Sequence, residues 1–127
     1  MGRNLVLDAG ALIGLERGSE VIAVLVAEAD KRGDAVVVPA SALAQIWRGG
    51  SRAAKLVKLL RTFEVDTLDE GRAKEVGVRL GVHDASDVAD AHVVCCGIEH
   101  EAAVATSDVG DMKRLIDPGD PVTIIPI

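Results

Sequence analysis

Short apolar runs alternate with longer segments of helical spacing from one end of the chain to the other. The short runs are rich in valine, isoleucine and alanine, as buried strands are. They predict five strands, at residues 4–7, 35–38, 63–66, 102–105 and 122–125. Because helical segments separate these strands, the connections are long enough for right-handed crossovers, which produce parallel pairing. The pattern therefore predicts a three-layer α/β/α sandwich with a central, mainly parallel sheet of about five strands.

Five segments between the strands have helical spacing, at residues 20–31, 51–61, 68–80, 87–99 and 110–116. Several of their ends carry capping signals. Ser19 and Gly33 stand where the first helix needs an N-cap and a C-cap. Thr67 begins a capping box for the third helix, and Ser86 or Asp84 can cap the fourth.

Length and composition favour a single domain covering residues 1–127. A chain of 127 residues that is 49% hydrophobic can bury one sizeable core but not two. Its longest apolar run is far shorter than the ~20 residues that a membrane span needs. We therefore expect a soluble, cytoplasmic protein.

The charge balance is acidic, with one basic segment. Twenty acids against fourteen bases give a net charge of −6, which by itself argues against a nucleic-acid partner. Five basic residues nevertheless fall within a stretch that contains no acid: Arg48, Arg52, Lys55, Lys58 and Arg61. This stretch is either a binding surface for phosphates or an ordinary solvated helix face.

Cysteine and histidine offer little obvious metal chemistry. Cys95 and Cys96 are adjacent in an apolar segment, which excludes a disulfide framework and a Cys-rich zinc site and favours two buried, reduced side chains. His83, His92 and His100 are nine and eight residues apart, which fits no local ligand pattern. We expect all three histidines to be structural or on the surface.

Aspartates follow two of the predicted strands or begin helices. Asp8 comes directly after the first strand, and Asp108 and Asp111 come just after the fourth. Asp87 and Asp90 lie one turn apart near a helix start. Asp8 can also be an N-cap, with the two residues after it forming a bend. Asp90 is flanked by small and apolar residues, so its carboxylate should be paired or should hold a metal ion.

In a parallel sheet, ligands collect outside the carboxyl ends of the strands. Several carboxylates meeting there repel one another, and a hard divalent cation is the simplest neutralising partner. Oxygen ligands indicate Mg²⁺ or Mn²⁺ rather than zinc.

Four stretches in this order resemble the PIN-domain ribonucleases, and more narrowly the VapC-type toxins of type II toxin–antitoxin systems: LVLDAGALI, ALAQIWRGG, DVADAHVV and VATSDVGDMKRLI. The resemblance covers nearly the whole chain. It implies an endoribonuclease that depends on Mg²⁺ or Mn²⁺ and cleaves RNA with metal-activated water. It also implies a homodimer, inhibition by a cognate VapB-type antitoxin, and a larger complex with that antitoxin.

Matched motif by motif, the resemblance assigns roles to particular residues. Metal binding falls to Asp8, Asp90 and Asp108, with Asp111 and Asp87 as outer members, and Thr106 or Ser107 would orient a ligand or a phosphate. The adjoining basic residues Arg48, Arg52 and Lys55 would guide the RNA backbone.

Gln45 departs from the family pattern, which usually has glutamate at this catalytic position. A glutamine keeps a carbonyl oxygen but loses a negative charge, so metal affinity should drop. The alternative is a non-catalytic PIN-fold module that binds antitoxin or RNA without cutting it. A haloacid-dehalogenase-like phosphatase is disfavoured, because its second acid would stand at Gly10.

Overall fold

The strands form one sheet in which every pairing is parallel. The structure, a computed structural model, describes residues 4–127. Within them lie β1 (Leu5–Leu7), β2 (Val36–Pro39), β3 (Glu64–Asp66), β4 (Ala103–Thr106) and β5 (Thr123–Pro126). The strand order is β3-β2-β1-β4-β5. The five predicted strands and their parallel pairing are confirmed.

Helices cover both faces of this sheet. They are α1 (Ala9–Glu16), α2 (Glu20–Arg32), α3 (Ala40–Ile46), α4 (Ala54–Leu60), α5 (Glu70–Val82), α6 (Val88–Glu99) and α7 (Val109–Lys113), with a 3₁₀ turn at Gly50–Ala53. Helices α5, α6 and α7 pack on one face, and α1, α2 and α4 pack on the other. The predicted three-layer α/β/α sandwich is therefore confirmed. None of the helices in residues 4–127 has the length and apolar character to cross a membrane.

The two cores follow from the alternation of side chains along the central strand. Val6 of β1 faces the α5–α7 layer, whereas Leu5 and Leu7 face the other layer. Helix α3 contributes to both cores, with Ala42 on one side and Leu43 on the other. Because α3 begins directly after β2, it lies at the carboxyl edge of the sheet.

Two short helices were not predicted. Ala9 and Gly10, expected to form a bend, are the first residues of α1. Helix α3, at Ala40–Ile46, was likewise absent from the prediction. Both follow a strand without a linker, and both are too short and too uniformly apolar to show a clear helical period. Tertiary packing against the sheet edge makes these segments helical.

The caps of α5 and α6 lie one to three residues after the predicted ones. Asp69, not Thr67, caps α5, and its carboxylate accepts the amide N–H three residues later at 2.8 Å. Asp87 caps α6 in place of Ser86 or Asp84 and accepts the amide three residues later at 2.9 Å. In each case an acid directly before the helix takes the cap, which also suits the positive end of the helix dipole.

Helix α2 begins and ends close to its predicted positions. Ser19 is its N-cap residue, although its side chain makes no capping hydrogen bond. Gly33 is its C-cap and has the left-handed conformation, with φ of 73°. Glycine adopts this conformation without the steric cost that a side chain would add.

The contact between α6 and the sheet can be tested at Gly97. A Cβ atom there would lie 2.8 Å from a methyl carbon of Val104 and 2.8 Å from one of Val122. We expect Gly97→Ala to lower the free energy of unfolding by about 1–3 kcal/mol through overpacking, measured by urea denaturation.

Gly77→Ala in α5 is the matched control, because a Cβ atom at Gly77 meets no atom within 4 Å. It should raise the free energy of unfolding by about 0.4–1 kcal/mol by restricting the unfolded chain. Equal effects of the two substitutions would contradict the tight packing of α6 on the sheet.

Candidate active site

Asp8 ends β1 and begins α1. Its side chain is only 3% exposed, and its carboxylate accepts the amide N–H of Ala11 at 2.8 Å, so the N-cap interpretation is confirmed. Burial raises the pKa of Asp8 above its ordinary value. Hydrogen bonds from the Thr106 hydroxyl and from backbone amides lower it, and the negative charge of Asp108 raises it further. An acid that is both buried and near a second acid is costly to keep charged.

Thr106 links the ends of the neighbouring strands β1 and β4 at the carboxyl edge of the sheet. Strand β4 lies beside β1 in the sheet, and Thr106 is the last residue of β4. Its side chain is fully buried, its Oγ1 accepts the amide N–H of Asp108 at 2.9 Å, and its hydroxyl hydrogen-bonds the Asp8 carboxylate. Thr106 thus holds the backbone of Asp108 and the side chain of Asp8 in one arrangement.

Asp90 lies in the first turn of α6, with its backbone N–H bound by the carboxylate of Asp87. Burial, followed by the charges of Asp87, Asp108, Asp111 and Asp8, raises the pKa of Asp90 to about 6. The four charges that act on it most strongly are therefore all negative. The structure brings the five predicted acids into one electrostatic group, which we call the acidic groove.

The donor chemistry of the acidic groove fits a hard divalent cation, because every predicted ligand is a carboxylate and, among residues 4–127, only Asp111 has a basic partner, Arg114, at 3.8 Å. The carboxylates are not packed into a closed cage, however. Among residues 4–127, the one group of three histidine, cysteine or acidic ligand atoms lying within 4.8 Å of one another occurs elsewhere, at Asp66, Cys96 and His100.

Gln45 lies in the last turn of α3 and is exposed. Helix α3 packs against both α1 and α6. These are the two helices that start at Asp8 and carry Asp90. The fold therefore places the segment that carries Gln45 next to the helices of the acidic groove.

Gly10 lies beside Asp8 and makes a close contact that the sequence did not show. A Cβ atom there would lie 2.8 Å from Oγ of Ser107 and 3.5 Å from a carboxylate oxygen of Asp8. The missing side chain leaves room for Ser107, which is exposed, to lie beside Asp8. Gly10 therefore matters for its close contact rather than for the bend that the sequence predicted.

The predicted RNA-binding residues are exposed but not equivalent. Arg48 donates to the backbone carbonyls of Gln45 and Trp47, at 3.0 and 2.8 Å, and so satisfies the end of α3. Arg52 lies in the 3₁₀ turn and Lys55 in α4. Within residues 4–127 no acidic side chain pairs with either of these two, so both charges face solvent.

A second buried acid, Asp66 at the end of β3, was missed by the sequence prediction. The Arg72 guanidinium donates hydrogen bonds to both carboxylate oxygens of Asp66, from Nε at 3.0 Å and from Nη2 at 2.9 Å. His92 Nε2 lies 2.8 Å from one oxygen, and His100 Nε2 lies 3.4 Å from the other. Arg72 is 8% exposed and also pairs with Glu75 and Glu99. We call Asp66, Arg72, His92 and His100 the Asp66 hub.

The Asp66 hub corrects the expectation that the histidines follow no local pattern. His92, Cys96 and His100 recur every four residues and therefore share one face of α6, turned towards Asp66. His83 lies apart from them, 3.2 Å from Asp117. The assignment of His92 and His100 as structural residues is nevertheless consistent with their hydrogen bonds.

Asp66, Cys96 and His100 could in principle hold a metal ion, but their surroundings favour an ion pair. The Arg72 guanidinium already brings a positive charge to both Asp66 oxygens. Burial raises the pKa of the Cys96 thiol, which opposes the thiolate that a metal requires. Cys95 and Cys96 are both free and buried, as predicted.

The Asp66 hub should make stability sensitive to acid. Burial alone would raise the pKa of Asp66, but hydrogen bonds from Arg72 and His92 lower it from 3.8 to about 2. Between these values the unfolded state binds more protons than the folded state. The stabilisation that the charged Asp66 gives to the folded state is therefore complete above 3.8, its pKa in the unfolded state. It is lost as the pH falls towards about 2, its pKa in the folded state. It amounts to roughly 2 kcal/mol, because each pKa unit is worth about 1.4 kcal/mol.

Urea unfolding of the wild type and of Asp66→Asn at a series of pH values tests this contribution. The variant should be less stable at about pH 5, and the difference should narrow by roughly 2 kcal/mol by about pH 2. A difference that stays constant across this range would contradict the lowered pKa.

Comparison with known proteins places this geometry in a known fold. No protein-family model and no curated protein sequence matches the chain. Solved structures do match, and they do so over nearly the whole chain. A chain of VapBC2 from Rickettsia felis bound to a promoter DNA fragment has a TM-score of 0.74 at 12% identity, covering 97% of this chain and 98% of that one.

A chain of FitAB bound to an IR36 DNA fragment has a TM-score of 0.69 at 15% identity, with coverages of 96% and 94%. A chain of FitAcB from Neisseria gonorrhoeae has a TM-score of 0.66 at 17% identity, with coverages of 95% and 96%. At these identities the matches establish architecture rather than activity. The chain therefore has the PIN-like fold that its sequence motifs predict, shared over nearly its whole length with chains of VapBC- and FitAB-type complexes.

Proposed function

We propose that this chain is an endoribonuclease that depends on Mg²⁺ or Mn²⁺ and acts as the toxin of a toxin–antitoxin pair. The acidic groove carries the proposal. Burial and, after it, four negative charges raise the pKa of Asp90 to about 6, at the edge of a parallel sheet where ligands bind. Among residues 4–127 the only basic side chain paired with this group is Arg114, 3.8 Å from Asp111, so a cation would neutralise charges that the protein leaves largely unpaired.

The residues of the acidic groove would divide the work as follows. Asp8, Asp90 and Asp108 hold the cation directly, Asp111 supports it from the first turn of α7, and Thr106 keeps Asp8 oriented. A bound Mg²⁺ or Mn²⁺ supplies an acidified water and stabilises the charge that develops on the phosphate. Positioning and charge stabilisation then suffice, so no side chain has to act as a nucleophile.

Recognition of RNA would use residues on the rim of the acidic groove. Arg52 and Lys55 have exposed charges that no acid in residues 4–127 neutralises, so they are free to contact phosphates. Ser107 lies beside Asp8 and offers a hydroxyl to a phosphate oxygen. Arg48 contributes less directly, because its guanidinium is bound to the end of α3.

The proposed partner is a small antitoxin of the VapB type, and the proposed assembly is a homodimer that binds it. The structures that match this chain include complexes of VapBC2 and of FitAB with DNA fragments. A net charge of −6, and an acidic groove whose one basic partner among residues 4–127 is Arg114, favour a partner that inserts a basic side chain. Both the RNA and the antitoxin would be met in the cytoplasm.

A cleavage assay with single-stranded RNA in Mg²⁺ or Mn²⁺ tests the proposal. Asp8→Asn removes one charge but keeps a side chain that caps α1 well, so the variant should fold. We expect cleavage to fall roughly 100-fold, the size of the loss when one charge-stabilising group is removed from a catalytic site.

Asp30→Asn is the matched control for this assay. It removes the same charge from an exposed position on α2, outside the acidic groove, and should leave cleavage unchanged. Equal cleavage by the wild type and Asp8→Asn would exclude a nuclease that works through this groove.

Gln45 keeps a second function open, that of a PIN-fold module that binds antitoxin or RNA without cutting. The observation in its favour is the loss of one acid from a site that otherwise keeps its carboxylates. Wild-type protein that binds RNA or an antitoxin but shows no cleavage with either metal would support this function over the nuclease.

Restoring the missing charge gives a further prediction. At ~4 Å and an effective dielectric of ~20, two unit charges interact by about 4 kcal/mol before hydration is subtracted, and a dication doubles this value. Gln45→Glu should therefore tighten Mn²⁺ binding in a calorimetric titration. Without metal it should lower the melting temperature, because the added carboxylate repels the others.

Ala44→Glu provides the comparison, since it adds the same charge at the neighbouring exposed position on α3. It should leave the Mn²⁺ affinity unchanged. If Gln45→Glu alters neither the affinity nor the melting temperature, Gln45 lies outside the metal site.

A further inference from the structure

Three side chains form a continuous hydrogen-bonded link between α3, α6 and β3. Oγ of Ser41 lies 2.7 Å from Nδ1 of His92, and Nε2 of His92 lies 2.8 Å from a carboxylate oxygen of Asp66. The His92 side chain is completely buried. A buried imidazole with partners on both nitrogens is held in one position and one ring orientation.

The direction of the hydrogen bonds follows from what each group can do. The Asp66 carboxylate, already held by Arg72, can only accept, so the proton lies on Nε2 of His92. When the ring is neutral, Nδ1 accepts the hydroxyl proton of Ser41. In this form the bonds run from Ser41 through His92 to Asp66, a residue of β3 that a two-point ion pair with Arg72 holds to α5.

The two helices that this link joins both carry residues of the acidic groove. Ser41 lies four residues before Gln45, so the two side chains share one face of α3. His92 lies two residues after Asp90 on α6. A change in the distance between Ser41 and His92 therefore moves Gln45 relative to Asp90.

At its beginning, helix α3 has apolar packing in both cores but only one side-chain hydrogen bond among the residues described, that of Ser41. It has only seven residues, and its N-cap residue Pro39 makes no side-chain capping hydrogen bond. Its other end is satisfied by Arg48. Ser41 is thus the polar contact that fixes the first turn of α3 to α6 among the residues described.

We propose that Ser41, His92 and Asp66 are positioning residues that hold α3 against α6 and so keep Gln45 in place at the metal site. This inference rests on the proposed function, since it concerns the same acidic groove. None of the three side chains has to touch the substrate or the metal. They affect metal binding through the position of Gln45, and a comparison of single and double variants measures this effect.

Calorimetric titration of Mn²⁺ into four proteins tests the route: the wild type, Ser41→Ala, Gln45→Ala and the double variant. Ser41→Ala should weaken Mn²⁺ binding roughly tenfold, the low end of the loss when an outer hydrogen bond to a metal site is removed. In the Gln45→Ala background the same change should have no further effect, because the side chain that Ser41 positions is gone.

Thr62→Ala is the matched control, since it also deletes a hydroxyl that makes a 3.0 Å hydrogen bond near a helix end, but at α4. It should leave the Mn²⁺ affinity unchanged. Thermal unfolding of each variant without metal confirms that it is folded. In cleavage assays Ser41→Ala should lower kcat and leave KM unchanged, because RNA contacts are untouched.

The outcomes separate this inference from the proposed function. Wild-type affinity in Ser41→Ala overturns the positioning role but leaves the nuclease proposal standing. Equal weakening in the presence and absence of Gln45 overturns the route through that residue, and with it the inference. A wild type that neither binds Mn²⁺ nor cleaves RNA overturns both proposals.

Discussion

Strand β1 pairs with β2 on one side and with β4 on the other. From β1 the chain first adds β2 and β3 on one side, and it then crosses over to add β4 and β5 on the other, so the direction reverses between β1 and β4. Two neighbouring strands whose connections leave in opposite directions open a crevice at their carboxyl ends. Asp8 and Thr106 stand at the two ends concerned, and Asp90 reaches the same place from α6. The arrangement of the acidic groove depends on the pairing of β1 with β4.

The protein has two groups of buried or half-buried acids, and their neighbours shift the pKa values in opposite directions. Asp66 is neutralised by Arg72 and bound by two imidazoles, so its pKa falls to about 2. Asp90 has only acids as strong neighbours, so its pKa rises to about 6. Burial acts in the same direction on both. The difference lies in the partners: Arg72 and His92 favour the charged form of Asp66, whereas the acids around Asp90 oppose its charged form.

Sequence patterns predict well the features that depend on residues close together in the chain. Apolar runs predicted all five strands, and an acid after a strand or at a helix start marked each member of the acidic groove. Helix α3 was missed because seven residues are too few to show a period. The Asp66 hub was missed because its histidine partners lie 26 and 34 residues away from Asp66. The spacing of eight residues puts His92 and His100 on one face of α6, but only the folded sheet brings that face to Asp66.

Gly10 and Ser107 are almost a hundred positions apart, yet a single added carbon atom would bring them into collision beside Asp8. The contact ties the first turn of α1 to the loop after β4 by shape alone, without charge or hydrogen bonding. Any side chain at position 10 would have to displace the Ser107 hydroxyl from its place beside Asp8. A residue with no functional group of its own therefore sets how much space lies next to the buried carboxylate.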